Sequence, residues 1–327
     1  MNGFTKRLEE AKLLLPPLAG YTDYPFRRIL SEFDPPFLCT EMVNPEALVR
    51  ESQRTMEMVK MVKGDHLNGV QLVGSNEESM RKGAAIVESM GYDYIDINMG
   101  CTVKTVTRTG AGLSLMMDEN KAVSVTSAVV RTVDIPVTSK MRIGPTEDDK
   151  NATVLSQKLV DIGVSAITVH GRTGEKKFGL EVNLKGIKEV VEAVDVPVIA
   201  NGGVYTGDDS IKLIEATGAA AVMPGRGLIG NPWLVNEIMF SLGGNNISGP
   251  VLGERKQVTL RHLKYLCDFY GERTGVIIMR RLLGKYFSGC VNAGLLKRDV
   301  QRMRTINDME SLVGRVNDVN GMEYVRP

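Results

Sequence analysis

Short apolar runs alternate with amphipathic stretches along the first 225 or so residues of the chain. Eight runs are bounded by glycine, proline or polar residues, at 13–18, 37–42, 69–73, 94–97, 137–141, 166–169, 196–200 and 220–223. Short, nearly continuous apolar runs of this kind are typical of strands that are buried on both faces. The pattern therefore predicts eight strands of a parallel sheet.

The stretches between these runs have the spacing of helices, at 77–90, 121–132, 152–162, 185–193 and 208–217. Asn76 and Thr206 stand before two of them and are followed by acids, as expected at helix N-termini. Eight strands that alternate with helices predict a TIM (β/α)₈ barrel. An open, doubly wound sheet of six to eight strands is the alternative.

The segment 241–250 (SLGGNNISGP) has little to bury and is expected to be a linker. After it Leu263, Leu266 and Tyr270 recur at helical spacing, and 276–286 and 299–305 are further predicted helices. We therefore expect a barrel over 1–240, the linker over 241–250 and a small helical domain over 251–327.

Charge is distributed unevenly along a chain whose formal net charge is only +1. Residues 241–327 contain 14 Lys and Arg against 8 Asp and Glu, whereas residues 1–240 contain 26 against 31. With 43% hydrophobic residues the chain has enough apolar material for a full core. A basic C-terminal part on an acidic body indicates a surface for a polyanion.

The four cysteines, Cys39, Cys101, Cys267 and Cys290, are far apart and form no CxxC pair. We therefore expect reduced thiols, as in a cytoplasm, and no bound metal. We also expect a monomer. The N-terminus lacks the pattern of a signal peptide. No apolar run approaches the roughly 20 residues that a membrane helix needs, so we expect no membrane span.

Two glycine-containing loops follow the last two predicted strands. They are Asn201-Gly202-Gly203 and Gly225-Arg226-Gly227. Active sites of these barrels lie at the C-terminal ends of the strands, and the last two loops commonly bind phosphate. Glycine lets backbone N–H groups approach an anion, and Arg226 adds further donors. The other interpretation is that the glycines only make tight turns.

Lys140 and His170 end two further predicted strands and are expected to project into the barrel mouth. A lysine beside a flavin stabilises the anionic reduced ring. Gln71 and Asn201 offer amides that suit the mixed donor and acceptor edge of such a ring. Alternatively, the lysine is a surface cation and the histidine is a hydrogen-bonded core residue.

Cys101 follows the strand end at Asn98 in a loop that contains Gly100, Gly110 and Gly112. A thiol placed there can donate a proton to a substrate. Most free cysteines are inert and buried, and this remains the alternative for Cys101.

The stretch 273–304 contains eight basic residues and one acid, Asp299. Arg281 and Lys285 are spaced i, i+4, as are Arg298 and Arg302, so each pair is expected to share a helix face. Few acids among many cations favour contacts to nucleic-acid phosphates. A solvated helix face is the alternative.

Several motifs resemble those of the dihydrouridine synthases, which reduce the C5=C6 bond of uridines in RNA with FMN. PPLAGYTDYPFR (16–27) resembles their barrel opening, and DINMGCTVKTVTRTGAGLSLM (96–116) resembles their catalytic loop. KMRIG, TVHGRT, PVIANGGV and MPGRGLIGNPWL follow in the family's order. The C-terminal segment from HLKYLCDFYG to LLGKYFSG resembles their helical RNA-binding domain.

The resemblance implies FMN at the barrel mouth, reduced by NADPH or NADH. The residues that it assigns to FMN are Pro17, Leu18, Gln71, Lys140, His170, Asn201, Gly202, Gly203, Gly225 and Arg226. A uridine, most simply of tRNA, would swing out of the RNA to reach the flavin. It would receive hydride at C6 from flavin N5, and a proton at C5 from Cys101. The substrate contacts would be Asn98, Arg172, Arg280, Arg281 and Lys285.

The chain departs from the family pattern at two places. Thr102 stands where the family usually has a proline after the cysteine, which keeps the thiol but changes its loop. Phe178 and Gly179 stand near the position of a usual Tyr-x-Gly, and the following Glu181 and Val182 also differ. The second departure concerns the RNA contacts rather than the flavin chemistry.

Two other functions share parts of this pattern. An FMN barrel reductase of a free pyrimidine, similar to dihydropyrimidine or dihydroorotate dehydrogenases, would share the phosphate loops but has no use for a basic helical domain. A non-catalytic RNA-binding protein would not need the set Cys101, Lys140, His170 and Arg226. The sequence also leaves open ribosomal RNA as the substrate, and which uridine is reduced.

Overall fold

The computed structural model describes residues 3–175, 181–290, 296 and 298–316, and in them seven strands form one parallel sheet. The strands pair strictly in chain order, each with the next. They are β1 (Phe37–Val43), β2 (Leu67–Leu72), β3 (Tyr94–Met99), β4 (Val137–Arg142), β5 (Ala166–His170), β6 (Val198–Asn201) and β7 (Ala221–Met223).

Helices precede, separate and follow these strands. The helices of the barrel part are α1 (Gly3–Ala11), α2 (Tyr24–Ser31), α3 (Pro45–Val49), α4 (Gln53–Met58), α5 (Glu77–Ser89), α6 (Lys104–Thr107), α7 (Leu113–Met117), α8 (Glu119–Val130), α9 (Ala152–Asp161), α10 (Leu184–Val191), α11 (Gly207–Thr217) and α12 (Leu234–Leu242). The C-terminal helical domain contains α13 (Leu252–Tyr270), α14 (Glu272–Tyr286) and α15 (Ile306–Gly314). Short 3₁₀ helices lie at Arg226–Leu228 and Val300–Arg302.

The segment at 13–18, predicted as the first strand, closes the sheet but pairs at only one residue. Leu13 bridges to Val222 of β7 in parallel fashion, and Leu14 N donates to Val222 O at 3.1 Å. Pro16 and Pro17 have no N–H group, so the ladder cannot continue along this segment. The predicted TIM barrel is confirmed, with seven full strands and one short closing contact.

A small apolar cluster fills the N-terminal end of the barrel. Its members come from α1, the closing segment and strands β1, β3, β5, β6 and β7: Phe4, Leu8, Leu14, Phe37, Tyr94, Ala166, Ile199, Ala221 and Met223. The ring of Phe4 lies 5.3 Å from that of Phe37 and 5.2 Å from that of Tyr94, between centroids. Helix α1 therefore caps this end, and the polar side chains of the interior lie toward the other end.

The helical domain packs on α2 of the barrel. The ring of His262 on α13 stacks on Phe26 with centroids 5.3 Å apart, and its Nδ1 lies 2.9 Å from the hydroxyl of Tyr286 on α14. Burial lowers the pKa of His262 to about 3, so this histidine is neutral at physiological pH. The neutral ring joins the two parts of the molecule as an ordinary core residue.

The five helices predicted between strands are confirmed, with small shifts at their ends. The stretch 121–132 forms α8 from Glu119 instead, because the Asp118 carboxylate accepts from Lys121 N and starts the helix earlier. Helix α12 continues through Leu242, two residues into the predicted linker. No helix within the described ranges is long and apolar enough to cross a membrane.

The prediction of a helix over 299–305 was wrong. Val300–Arg302 forms a 3₁₀ turn, and α15 starts after Thr305. The Thr305 hydroxyl and the Asp308 carboxylate cap each other's backbone N–H groups, which fixes the helix start at this point. Arg302 therefore lies on a 3₁₀ turn that directly follows the helical residues Arg298 and Asp299, and not on one continuous α-helix with Arg298.

Candidate active site

Polar side chains line the barrel interior at the C-terminal ends of adjacent strands. Asp96 and Asn98 on β3 are two residues apart, so both face the same side of the sheet. In the sheet register Asn98 lies opposite Lys140 of β4, and His170 of β5 lies opposite Asn201 of β6. The register brings these predicted site residues to one end of the barrel.

A chain of buried hydrogen bonds joins β2, β3 and β4. Gln71 Nε2 donates to Asp96 Oδ2 at 2.6 Å, and Asn98 Nδ2 donates to Gln71 Oε1 at 2.8 Å. Thr138 Oγ1 donates to the other carboxylate oxygen, Asp96 Oδ1, at 2.7 Å. Burial raises the pKa of Asp96, whereas the bonds from Thr138 and Gln71 and the charge of Lys140 favour its ionised form.

Cys101 is half-buried in a loop whose backbone is held from two sides. Asn98 Oδ1 accepts from Cys101 N at 3.0 Å and from Gly100 N at 3.2 Å, and Cys101 O accepts from Leu113 N at 2.9 Å. Gly112 has φ +61°, and a Cβ at this position would lie 2.8 Å from the carbonyl oxygen of Cys101. Only glycine fits there, so the sequence fixes the path of this loop.

Lys140 is held by Asn201. Its Nζ donates to Asn201 Oδ1 at 2.8 Å, and Asn201 Nδ2 donates to Met223 O at 2.8 Å. Burial lowers the pKa of Lys140 to about 8, although the charge of Asp96 opposes this shift. The lysine therefore carries its positive charge at neutral pH and loses it as the pH rises above about 8.

His170 is a neutral histidine among cations. Burial, followed by the charges of Lys140, Arg142, Arg172 and Arg226, lowers its pKa to about 2. Its Nε2 lies 3.2 Å from Arg172 Nη1, so the predicted substrate residue Arg172 sits beside the predicted cofactor residue. Because it is uncharged, this imidazole can accept or donate a hydrogen bond but cannot serve as a strong acid.

The two glycine loops offer the features of an anion site. Gly202 and Gly203 have φ of +130° and +75°, and Gly203 is exposed. A Cβ at Gly225 would meet no atom within 4 Å, so open space lies against the backbone there. Arg226 is exposed at the start of the 3₁₀ helix that follows. This donor set and the open cradle fit a phosphate group.

The segment after Pro17 turns tightly at the same end of the barrel. Thr22 Oγ1 accepts from Leu18 N at 2.9 Å, and Glu41 of β1 accepts from Gly20 N. Pro17 and Leu18 are half-buried. These contacts fix the backbone beside Pro17 and Leu18, two of the residues that the resemblance assigns to FMN.

Helix α14 brings two exposed cations to the barrel. The guanidinium of Arg281 lies 5.6 Å from the ring centroid of Tyr21, in the first loop, and Lys285 packs against Gly230, after β7. Arg280 is different, because it is half-buried and donates to Met303 O. The structure thus brings Arg281 and Lys285 to the barrel loops and gives Arg280 an internal partner.

The remaining residues singled out in the sequence have different surroundings. Arg298 is exposed and pairs with Asp299 at 3.1 Å. Thr102 follows Cys101 and is half-buried, whereas Phe178 and Gly179 lie outside the described residues. Among the described residues no group of three or more His, Cys, Asp or Glu side chains could hold a metal ion.

Two residues of this site, Asp96 and Arg142, had no role predicted from the sequence. Arg142 Nε donates to Gly100 O at 2.8 Å and its Nη1 donates to Thr173 O at 2.9 Å, which ties the loop of Cys101 to the loop after β5. A signal was present for Asp96, because it is an acid two residues before Asn98 inside a buried strand. A similar signal was present for Arg142, because it lies two residues after Lys140 at the end of a predicted strand.

Comparison with known proteins agrees with this geometry. The profile of the dihydrouridine synthase family matches residues 14–318. A "Probable tRNA-dihydrouridine synthase" of Rickettsia bellii is 35% identical over 295 residues, which are 90% of each chain. A "tRNA-dihydrouridine synthase B" of Pseudomonas aeruginosa is 33% identical over 90% of this chain and 89% of its own. This chain therefore belongs to the dihydrouridine synthase family.

Proposed function

We propose that this protein uses FMN and NADPH or NADH to reduce uridine to dihydrouridine in tRNA. The observation that carries the proposal is the convergence of Cys101, Lys140 and His170 at one barrel mouth, in a chain of this family. Relatives named as tRNA-dihydrouridine synthases, similar over most of both chains, support tRNA as the RNA.

The residues of the mouth suit FMN. The phosphate would bind the backbone of Gly202, Gly203 and Gly225 and the guanidinium of Arg226, with Asn201 beside them. Pro17, Leu18, Lys140 and His170 would surround the ring. Gln71 is fully buried and its amide already binds Asp96 and Asn98, so it would support the site from inside the barrel wall. When bound, reduced FMN supplies the hydride for uridine C6. The charge of Lys140, held in place by Asn201, would stabilise the anionic reduced ring at neutral pH.

The proton for uridine C5 would come from Cys101. His170 is neutral because its pKa is about 2, and the charge of Lys140 is assigned to the reduced ring, which leaves the thiol as the proton donor. Cys101 is half-exposed and stands on a fixed loop. Asn98, whose oxygen holds that loop, and Arg172 would contact the uridine. The uridine must leave its stack to reach them.

The helical domain, for which we propose the bounds 251–327 after a linker at 241–250, would hold the RNA. Arg281 and Lys285 are exposed one turn apart on α14 and lie against loops of the barrel mouth. RNA phosphates that contact them would place the target base near Cys101. Arg280 would support the same helix through its bond to Met303 O.

A direct experiment tests the whole proposal. We expect purified protein to show a flavin absorption band with about one FMN per chain, and to form dihydrouridine in tRNA from a strain that lacks the gene. The modified position is read by mapping dihydrouridine along the RNA. Colourless protein that cannot be reconstituted with FMN contradicts the flavin assignment. Activity on free uracil or on ribosomal RNA, with none on tRNA, contradicts the substrate assignment.

The proposed RNA contacts make a separate prediction. Changing Arg281 and Lys285 together to glutamine should weaken tRNA binding and flatten its salt dependence. The slope of log affinity against log salt should fall by roughly 0.7–0.9 for each lost phosphate contact. Binding is measured at several salt concentrations, together with flavin content, which should not change.

A double change of Lys185 and Lys188 to glutamine is a matched control, because these exposed lysines lie on α10, on the outside of the barrel. It should leave the slope at the wild-type value. A lower melting temperature with unchanged affinity and slope in the Arg281 and Lys285 variant would mean that these side chains serve only the protein surface.

A further inference from the structure

We propose that Asp96 is a positioning residue, whose carboxylate fixes the side-chain amides of Gln71 and Asn98 and, through them, the backbone that carries the Cys101 thiol. The proposal rests on the proposed function, because it concerns the placement of the proton-donating group. Three hydrogen bonds in series connect the buried carboxylate to Cys101 N. We call this series the amide relay.

The direction of each bond in the amide relay follows from its Cys101 end. The backbone N–H groups of Gly100 and Cys101 can only donate, so Asn98 must turn its oxygen toward them. The NH₂ group of Asn98 then faces Gln71 and requires an acceptor there, which is Gln71 Oε1. This leaves the NH₂ group of Gln71 directed at Asp96.

At the other end of the amide relay, the NH₂ group of Gln71 needs a hydrogen-bond acceptor. An ionised carboxylate meets this need, and both of its oxygens are used, by Gln71 Nε2 and by Thr138 Oγ1. Asp96 lies directly opposite Gln71 on β2 and Thr138 on β4 in the sheet register. The parallel ladder therefore presents both donors to the same carboxylate.

The hydrogen bond between Gln71 and Asp96 is shielded from bulk solvent. Gln71 is fully buried and Asp96 is 4% exposed, so in the intact protein the Gln71 NH₂ group depends on a protein acceptor. A buried donor without a partner is costly, and Gln71 would reorient to find one. Gln71 binds Asn98, and Asn98 binds Cys101 N. Reorientation of the Gln71 amide would therefore disturb the loop that carries the Cys101 thiol.

Three substitutions separate this role from simple packing. Asp96→Ala removes the acceptor. Asp96→Asn keeps an oxygen for Gln71, because its NH₂ group can donate to the Thr138 hydroxyl, whose hydrogen can turn to Ile95 O at 3.5 Å. Thr138→Val is the matched control, since it deletes the other bond to the same carboxylate in an equally buried place and leaves the amide relay intact.

The readouts are the rate of Cys101 alkylation by iodoacetamide, followed by mass spectrometry of its peptide, and the kinetics of uridine reduction in tRNA. For Asp96→Ala we expect faster alkylation of Cys101, a fall in kcat of about 10- to 100-fold from misplacement, and an unchanged KM for tRNA. Asp96→Asn should restore most of the wild-type alkylation rate and kcat. Thr138→Val should match wild type in both.

Two results would overturn the proposal: wild-type alkylation and kcat in Asp96→Ala, or equal losses in Asp96→Ala and Thr138→Val. If Asp96→Ala does not fold, Gln71→Met cuts the amide relay at its middle without a charge change and should show the same faster alkylation. The alkylation rate needs neither RNA nor turnover. A wild-type protein inactive on tRNA would therefore reject the proposed function while the Asp96 comparison still stands or falls by itself.

Discussion

Replacing Cys101 with alanine is expected to slow uridine reduction by roughly 10²–10⁴-fold, the usual loss for a positioned general acid, and to leave flavin reduction by NADPH unchanged. The thiol would serve only the step in which uridine C5 gains a proton. It stands on a loop fixed by Asn98 and by the close approach of Gly112. The loss should therefore appear in one half-reaction alone.

Stopped-flow measurement of the two half-reactions checks this expectation. One mixes oxidised protein with NADPH, and the other mixes reduced protein with tRNA. Cys290→Ala is the control, because Cys290 is also half-buried but lies after α14 in the helical domain. Equal loss in both half-reactions, or no loss in either, would mean that the Cys101 thiol has another role.

The second large effect is expected at the phosphate loops. Arg226→Ala should weaken FMN binding by roughly 10- to 150-fold, because a charge-assisted hydrogen bond contributes about 1.5–3 kcal/mol. Arg226 is exposed at the start of a 3₁₀ helix, next to the open backbone at Gly225. The affinity is measured by titrating apoprotein with FMN and following flavin fluorescence.

Riboflavin is the informative comparison, since it has the same ring and lacks the phosphate. Its affinity should be low for the wild type and nearly unchanged by Arg226→Ala. If the substitution weakens both ligands equally, Arg226 acts on the ring or on the fold. If it weakens neither, the phosphate lies elsewhere and the two glycine loops are only tight turns.

Much of the barrel could be predicted because its signals are local. Apolar runs bounded by glycine and proline mark buried strands, and each strand end then places its polar residue at one mouth. Lys140, His170 and Asn201 were predicted together on this basis, and the register brings them together. The short pairing at Leu13 was missed, although Pro16 and Pro17 already excluded a longer ladder.

The partners of the site residues could not be predicted in the same way. That Asn201 holds Lys140, or that Gln71 lies between Asp96 and Asn98, depends on which residues face each other across neighbouring strands. Register is set by the packing of the whole sheet. Arg280 shows a similar limit, since its neighbour Arg281 has the same charge and only the contact with Met303 distinguishes them.

Under the proposed function, helix α1 has a consequence for the order in which the two reactants bind. With Phe4 and Leu8 set into the inner apolar cluster, the N-terminal end of the barrel is filled, and the mouth with the polar side chains faces the other way. Under the proposed function, the nicotinamide and the RNA loop would both approach the flavin through this mouth. Two bulky reactants that share one entrance exclude each other, so each turnover should alternate between them. The steady-state kinetics should then have a ping-pong form, in which excess RNA slows reduction of the flavin.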